Sequence, residues 1–67
     1  MTKGTIRRVM RDRGYGFIAT EDGKNIFFHR TALRGLRFDS LREGQLVEFE
    51  VTTGPKGPRA IGVRLRQ

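Results

Sequence analysis

The sequence predicts an all-β protein whose five short strands form a small closed antiparallel barrel. Its 67 residues suffice for one domain, expected to span residues 1–67. Nine glycines and two prolines divide the chain into short segments of the kind that turns connect. The chain also lacks a convincing helical pattern of any length. A closed barrel suits such short strands because closure removes exposed strand edges, which invite aggregation.

The first half of the chain predicts three consecutive strands. The segment from Thr5 to Met10 is β-branched and apolar, and Gly14 to Thr20 resumes the pattern after a polar interruption. Residues 21–24 contain Asp-Gly, the strongest short hairpin signal, and Asn25 to His29 follows as the third strand. These strands are expected to pair in order as hairpins.

The second half predicts a long connection and two further strands. Residues 30–45 begin with a possible helical turn at Thr31–Leu33 and continue as an irregular loop. The segment from Leu46 to Thr53 has the clearest alternation of apolar and polar residues in the chain, which indicates a fourth strand. Residues 54–58 are expected to interrupt regular pairing because they carry both prolines, and Ala60 to Leu65 forms the fifth strand.

Alternation also predicts which side chains face the barrel interior, because successive strand residues point to opposite faces. Phe49 is expected to be core or half-buried packing. The expected core consists of Ile6, Ile18, Ile26, Phe28, Leu33, Leu41, Val47, Val51 and Val63.

The same alternation leaves a group of rings on the outer face, namely Tyr15, Phe17, Phe27 and His29. Exposed rings beside arginines are unfavourable unless a partner covers them, and a nucleobase provides such cover. An inverted register would instead bury these rings and expose Ile18, Ile26 and Phe28, which is a poorer arrangement.

The charge of the chain favours a polyanionic partner. Lys and Arg number 14 against 7 Asp and Glu, so the formal net charge is +7, and eleven of the basic residues are arginine. Arginine offers a planar fork for phosphate and a flat face for stacking. Charge alone is also compatible with an ordinary solvated surface. It therefore supports nucleic-acid binding only together with the outward rings.

Composition excludes several other classes of protein. The chain has no cysteine and one histidine, so no disulfide framework, thiol catalysis or metal site is expected, and no cofactor or small-molecule substrate is implied. No nucleophile pattern accompanies His29, and Gly14-Tyr15-Gly16 lacks the lysine and helix of a phosphate-binding loop. No signal peptide or membrane-spanning segment is expected, and the sequence predicts a cytoplasmic, non-enzymatic protein.

Two segments resemble the ribonucleoprotein motifs of the cold-shock domain family. Arg13-Gly14-Tyr15-Gly16-Phe17-Ile18 is similar to the first motif, and Asn25-Ile26-Phe27-Phe28-His29 to the second. The similarity runs from about Gly4 to Val63 and includes the Asp-Gly turn, the segment after the histidine and the Gly-Pro-Lys-Gly-Pro segment.

The resemblance implies a five-stranded oligonucleotide-binding (OB-fold) barrel that binds single-stranded RNA or DNA, acts as an RNA chaperone, or affects transcription and translation. A lone loop ring such as Phe38 can also cap the barrel end, and His29 can also be a structural surface residue. The stacking positions that the resemblance implies are Tyr15, Phe17, Phe27, His29 and Phe38. Basic residues expected near the rings, with phosphate as their partner, include Arg7, Arg8, Arg13, Lys24, Arg30, Lys56 and Arg59.

Three features differ from the usual pattern of the bacterial family. Arg8 occupies a position that is usually aromatic, and Arg30 follows the motif histidine where a phenylalanine is usual. The net charge of +7 is the third difference, because the usual member is near-neutral or acidic. Guanidinium groups can stack on bases and attract phosphate, so binding is expected to depend more on charge and less on base identity.

Two other functions remain open at this point. A basic barrel could coat duplex DNA as an architectural protein, using arginine charge and a few apolar wedges. The ring face could instead contact a polypeptide, as aromatic hot spots do. The first alternative gains from the high charge and loses from the outward rings. A monomer is expected in each case.

Overall fold

The structure, a computed structural model, describes residues 1–66 and is all-β. Its strands are β1 (Thr2–Met10), β2 (Tyr15–Thr20), β3 (Asn25–His29), β4 (Leu46–Gly54) and β5 (Gly57–Leu65). Two short 3₁₀ turns, Arg30–Ala32 and Phe38–Ser40, interrupt the long connection between β3 and β4. No helix within residues 1–66 is long and apolar enough to cross a membrane.

The five strands close into a barrel in the order β1-β2-β3-β5-β4, which confirms the predicted fold class. The sheet is mixed, however, and the prediction of a wholly antiparallel barrel was wrong in that detail. β3 and β5 run parallel, with Phe27 opposite Arg59 and Phe28 opposite Ala60. The long connection after β3 makes this possible, since parallel neighbours cannot be joined by a tight hairpin.

The barrel interior holds one apolar cluster. It consists of Ile6, Ile18, Ile26, Phe28, Leu41, Val47, Phe49, Ala60 and Val63. The predicted core is largely confirmed, with Leu33 only partly buried against it. Val51 was wrongly predicted, because its side chain is 46% exposed. The pairing of β4 with β1 ends at Phe49, so Val51 has a neighbouring strand on one side only.

Residues 54–58 also differ from the prediction, because they form the tip of a regular hairpin. Gly54 pairs with Gly57 and Thr53 with Pro58, so that two residues connect β4 to β5. Gly57 has φ +112°, a conformation that side-chain-bearing residues rarely adopt. Pro58 lies beyond the residues of β5 that pair with β3, and an edge position tolerates its missing N–H.

β1 contains an irregularity that alters which side chains share a face. Ile6 lies opposite Ile18, but Arg8 lies opposite Phe17, so Arg7 is an extra residue in β1. Strict alternation from the buried Ile6 would turn Arg8 inward. The β-bulge restores Arg8 to the outer face, and both arginines are exposed.

Arg11 anchors the long connection to the end of β1. Its guanidinium donates to the carbonyl oxygen of Asp39 over 2.8 Å and also to that of Leu41. Phe38, in the same connection, packs against the core, and its ring centroid lies 6.5 Å from that of the buried Phe28. The connection is therefore held against the end of the core.

Candidate nucleic-acid interface

Four side chains form a row across the outer face of the barrel. Strand pairing places Arg8 opposite Phe17, Phe17 opposite Phe27, and Phe27 opposite Arg59. Neighbouring strands lie about 4.8 Å apart, so the row spans roughly 14 Å. Two phenylalanine rings are thus flanked at each end by an arginine.

Tyr15, Phe17 and Phe27 form an aromatic cluster, the name used for these three residues below. The ring centroid of Tyr15 lies 5.4 Å from that of Phe27 and 6.0 Å from that of Phe17, and the two phenylalanine centroids are 6.1 Å apart. All three side chains are half-buried. Phe17 packs edge to face with both other rings, whereas Tyr15 and Phe27 are tilted by 38° to each other. These contacts fix the ring orientations while part of each ring remains accessible.

Gly16, which lies between Tyr15 and Phe17 on β2, accommodates the Phe28 ring on the inner face of the barrel. A Cβ on Gly16 would lie 2.7 Å from Phe28 Cζ, closer than atoms can approach without displacement. The missing side chain leaves room for the Phe28 ring inside the barrel, directly beneath Tyr15 and Phe17. The Gly-Tyr-Gly-Phe sequence therefore couples core packing to the outer rings.

His29 lies opposite Tyr15 and is fixed by the turn that follows it. The backbone N–H of Thr31 donates to His29 Nδ1 over 3.2 Å, and the Thr31 hydroxyl lies 2.9 Å from the same nitrogen. Because Nδ1 accepts, the neutral imidazole carries its proton on Nε2. His29 therefore presents a hydrogen-bond donor at its other nitrogen.

Two pockets lie at the ends of the row. The hairpin pocket, with a volume of about 640 Å³, is lined by Tyr15, Phe27, His29 and residues 54–59 at the β4–β5 turn. The arginine pocket, about 530 Å³, is lined by Arg7, Arg8, Phe17, Asn25 and Glu43. The structure thus brings together most of the predicted site residues, in two groups.

Arg59 occupies the boundary between the hairpin and the aromatic cluster. Its Cζ lies 6.0 Å from the centroid of the Phe27 ring. A Cβ on Gly54 would lie 3.4 Å from Arg59 Cδ, so the arginine stem crosses the hairpin close to its backbone. Arg59 Nε is buried and has no hydrogen-bond partner among residues 1–66.

Four predicted site residues line neither pocket: Arg13, Lys24, Arg30 and Phe38. Arg30 packs its stem near Gly14, at the edge of the cluster, because a Cβ there would be 3.2 Å from Arg30 Cδ. Phe38 packs on the core as described above. Arg13 is exposed in the β1–β2 turn.

Lys24 lies in the β2–β3 turn, where an acidic neighbour reduces its availability. Its Nζ is 3.8 Å from a carboxylate oxygen of Asp22, with both side chains exposed. The Thr20 hydroxyl donates to Asp22, and this hydrogen bond, assisted by Lys24, lowers the pKa of the Asp22 carboxyl. Asp22 therefore stays ionised beside Lys24 over the ordinary pH range.

Sequence reasoning missed several residues of the two pockets. Asn25 shares the outer face of β3 with Phe27 and His29, so alternation alone could have identified it. Glu43 comes from the long connection, and no sequence signal places it beside Arg7 and Arg8. The backbone of the β4–β5 turn was missed because that segment was expected to be irregular. Among the described residues, no group of three or more His, Asp or Glu side chains could hold a metal ion.

Comparison with known proteins identifies the family. The family model described as "'Cold-shock' DNA-binding domain" matches residues 2–66. The chain belongs to the cold-shock domain family. It is 49% identical over 65 residues to "Probable cold shock protein A" of Mycolicibacterium smegmatis, covering 96% of this chain and 97% of that protein.

Two further cold-shock relatives agree with this assignment. "Cold shock protein CspB" of Geobacillus stearothermophilus is 44% identical over 63 residues, covering 94% of this chain and 96% of its own length. "Major cold shock protein" of Streptococcus pyogenes serotype M1 is 40% identical, covering 94% of each chain. Membership of the cold-shock domain family confirms the predicted function, which is nucleic-acid binding of the cold-shock type.

Proposed function

We propose that residues 1–67 form one domain, which is monomeric and binds single-stranded RNA or DNA. In this proposal successive bases stack on Phe17, Phe27 and His29, with Tyr15 at the edge of the platform. Arg8 and Arg30 flank the rings and contact the sugar-phosphate backbone.

The row across β1, β2, β3 and β5 carries the proposal. Bases expose their faces only when they are unpaired, and each base that stacks on an aromatic ring contributes about 1–3 kcal/mol. Phe17 and Phe27 lie on adjacent strands with centroids 6.1 Å apart, which suits successive bases of one strand. Arg8 and Arg30, beside the rings, supply phosphate attraction.

Binding of this kind changes nucleic-acid structure without catalysis. Because only the unpaired form is bound, mass action shifts a base-paired segment towards the open state. This is the basis for an RNA chaperone or a regulator of transcription or translation, acting in the cytoplasm without an enzymatic step. With a net charge of +7, binding should weaken steeply with salt, with a slope of about −0.7 for each phosphate neutralised.

The test uses Tyr15, which is the only tyrosine in a chain without tryptophan. Its fluorescence is followed while the protein is titrated with a single strand of about 12 nucleotides, within the 4–16 range of such barrels. A GC-rich duplex of equal length competes in a second titration. Strong quenching by the single strand with weak competition by the duplex is expected.

Substitution of the rings separates stacking from charge. Phe17→Ala and Phe27→Ala should each weaken single-strand binding, whereas Ile61→Ala, on an exposed apolar side chain of β5, should not. Equal binding of duplex and single strand, with both phenylalanine variants unaffected, would support an architectural duplex-binding protein instead. A salt-insensitive complex with polypeptide and no affinity for either nucleic acid would indicate a protein-binding barrel.

A further inference from the structure

The hairpin pocket combines one stacking ring with side chains that donate hydrogen bonds. We infer that Arg59 recognises a guanine base in this pocket, donating to guanine O6 and N7 while the base stacks on Phe27. This inference rests on the proposed single-strand binding and adds base selection at one position of the site.

The position of Arg59 leaves its guanidinium available. Its Cζ is 6.0 Å from the Phe27 centroid, at the outer limit of cation–π contact. Its Nε is buried without a hydrogen-bond partner among the residues that the structure describes. Since a buried unpaired donor is unfavourable, the side chain gains when it turns towards a ligand that accepts from Nε and one terminal nitrogen together.

The other polar side chains of the hairpin pocket also favour a base that accepts hydrogen bonds. Lys56 can only donate. His29 presents an Nε2 donor, because its Nδ1 already accepts from the Thr31 backbone. The Tyr15 hydroxyl can donate or accept. The pocket therefore favours a base rich in acceptors and disfavours a base that places a donor at Arg59.

On the edge that faces the major groove of a duplex, guanine is the only base with two adjacent acceptors, O6 and N7. Adenine places an amino donor beside N7, and cytosine presents an amino donor on the corresponding edge. Thymine offers a single carbonyl acceptor there. A guanidinium fork matches the guanine edge with two parallel hydrogen bonds, whereas it meets a donor on adenine or cytosine.

A backbone phosphate offers the same two-acceptor chemistry and is the alternative source. The base is favoured because Arg59 lies directly opposite Phe27 on the neighbouring strand. A base stacked on that ring brings its edge towards the guanidinium. This assignment also refines the expectation of weak base selection, which then applies to the arginine pocket and not to the hairpin pocket.

The first experiment varies the base and leaves the protein unchanged. Thymidine oligonucleotides of about nine nucleotides, within the site size of such barrels, carry one central guanine, adenine, 7-deazaguanine or hypoxanthine. Quenching of Tyr15 fluorescence reports the dissociation constant. Guanine and hypoxanthine, which both retain O6 and N7, should bind roughly 5- to 100-fold more tightly than adenine. 7-Deazaguanine, which lacks N7, should lose most of that advantage.

The second experiment varies the arginine. Arg59→Lys retains the positive charge but loses the rigid planar fork, so the guanine preference should fall while the salt slope stays unchanged. Arg64→Lys, on the same strand and paired with Glu48 at 3.7 Å, is the matched control and should keep the guanine preference. Thermal melts of both variants verify that the barrel is intact.

The outcomes distinguish failure of guanine recognition by Arg59 from failure of single-strand binding. Equal binding of guanine and adenine oligonucleotides by the unaltered protein overturns the inference and leaves single-strand binding in place. So does a guanine preference that Arg59→Lys leaves undiminished. If Arg59→Gln weakens every oligonucleotide equally and reduces the salt slope by about 0.7, Arg59 contacts phosphate. Failure of the all-thymidine strand and all its derivatives to bind overturns the proposed function itself.

Discussion

The two ends of the ring row differ in how they would hold a nucleic acid. At the hairpin pocket, Phe27 lies beside Tyr15 and Arg59, and the rings of Tyr15, Phe27 and His29 line the pocket together. At the arginine pocket, Phe17 is the only ring beside Arg7 and Arg8 among the lining residues. One end is suited to stacking and base selection, and the other to phosphate attraction.

The difference arises from backbone geometry as much as from side-chain type. The β-bulge at Arg7 brings two consecutive arginines to the surface at one end. The regular β4–β5 hairpin extends past the core at the other end and forms a wall facing the rings. The two ends of the row therefore differ in chemistry because of the bulge at Arg7 at one end and the β4–β5 turn at the other.

The largest expected effect on single-strand binding comes from removing the ring of Phe27, which contacts both other rings of the aromatic cluster. Phe27→Ala should weaken single-strand binding by about 5- to 150-fold, corresponding to 1–3 kcal/mol of lost stacking. Fluorescence titration measures the change, with Ile61→Ala as the matched apolar control on the outer face. A smaller loss of affinity in Phe27→Ala than on removal of Arg8 or Arg59 would contradict a stacking-dominated hairpin pocket.

Replacing a flanking arginine by a ring tests the charge-dominated end. Arg8→Phe should reduce the magnitude of the salt slope by about 0.7, since one phosphate contact is lost. It should also bind more tightly than the parent at high salt, where stacking persists and charge is screened. Titrations at several salt concentrations measure both effects, and Arg64→Gln provides the control for charge loss elsewhere. An unchanged slope would mean that Arg8 acts by stacking.

Removing an acidic group from the arginine pocket should have a smaller, opposite effect. Glu43→Gln should tighten single-strand binding by about two- to fivefold at low salt, the scale of exposed charge interactions. The reason is that Glu43 lines the pocket with Arg7 and Arg8 and opposes phosphate there. The gain should disappear at high salt. Tightening that persists at high salt would contradict an electrostatic cause.

The smallest effect is expected at the β2–β3 turn, outside both pockets. Asp22→Asn releases Lys24 and should tighten binding by less than about twofold, because both groups are exposed. Since folding lowers the Asp22 pKa, the ionised carboxylate stabilises the turn above its unfolded pKa near 3.8, and this contribution is lost as pH falls through the folded value. Acid melts of the parent and variant should therefore converge at low pH. A large affinity gain would place Lys24 within the interface.

Much of the fold could be predicted because alternation and turn chemistry are local properties. β3 occupies Asn25 to His29 as expected, and the Asp-Gly turn precedes it with Gly23 at φ +86°. The separation of Phe28 inside from Phe27 outside follows from the same alternation and is confirmed. Errors appeared where alternation no longer determined exposure, as at Val51, or where proline was taken to exclude pairing, as at Pro58.

The sequence by itself determined the all-β class, most of the core and the set of rings on the outer face, because each depends on neighbouring residues and a period of two. Only the tertiary structure decided that Arg8, Phe17, Phe27 and Arg59 form one row, because strand order, the parallel β3–β5 pair and the bulge at Arg7 are set by contacts between distant segments. The position of Phe38 was decided in the same way, by Arg11 donating to backbone carbonyls 28 and 30 residues away. The alternation of residues along the sequence does not predict such long-range contacts.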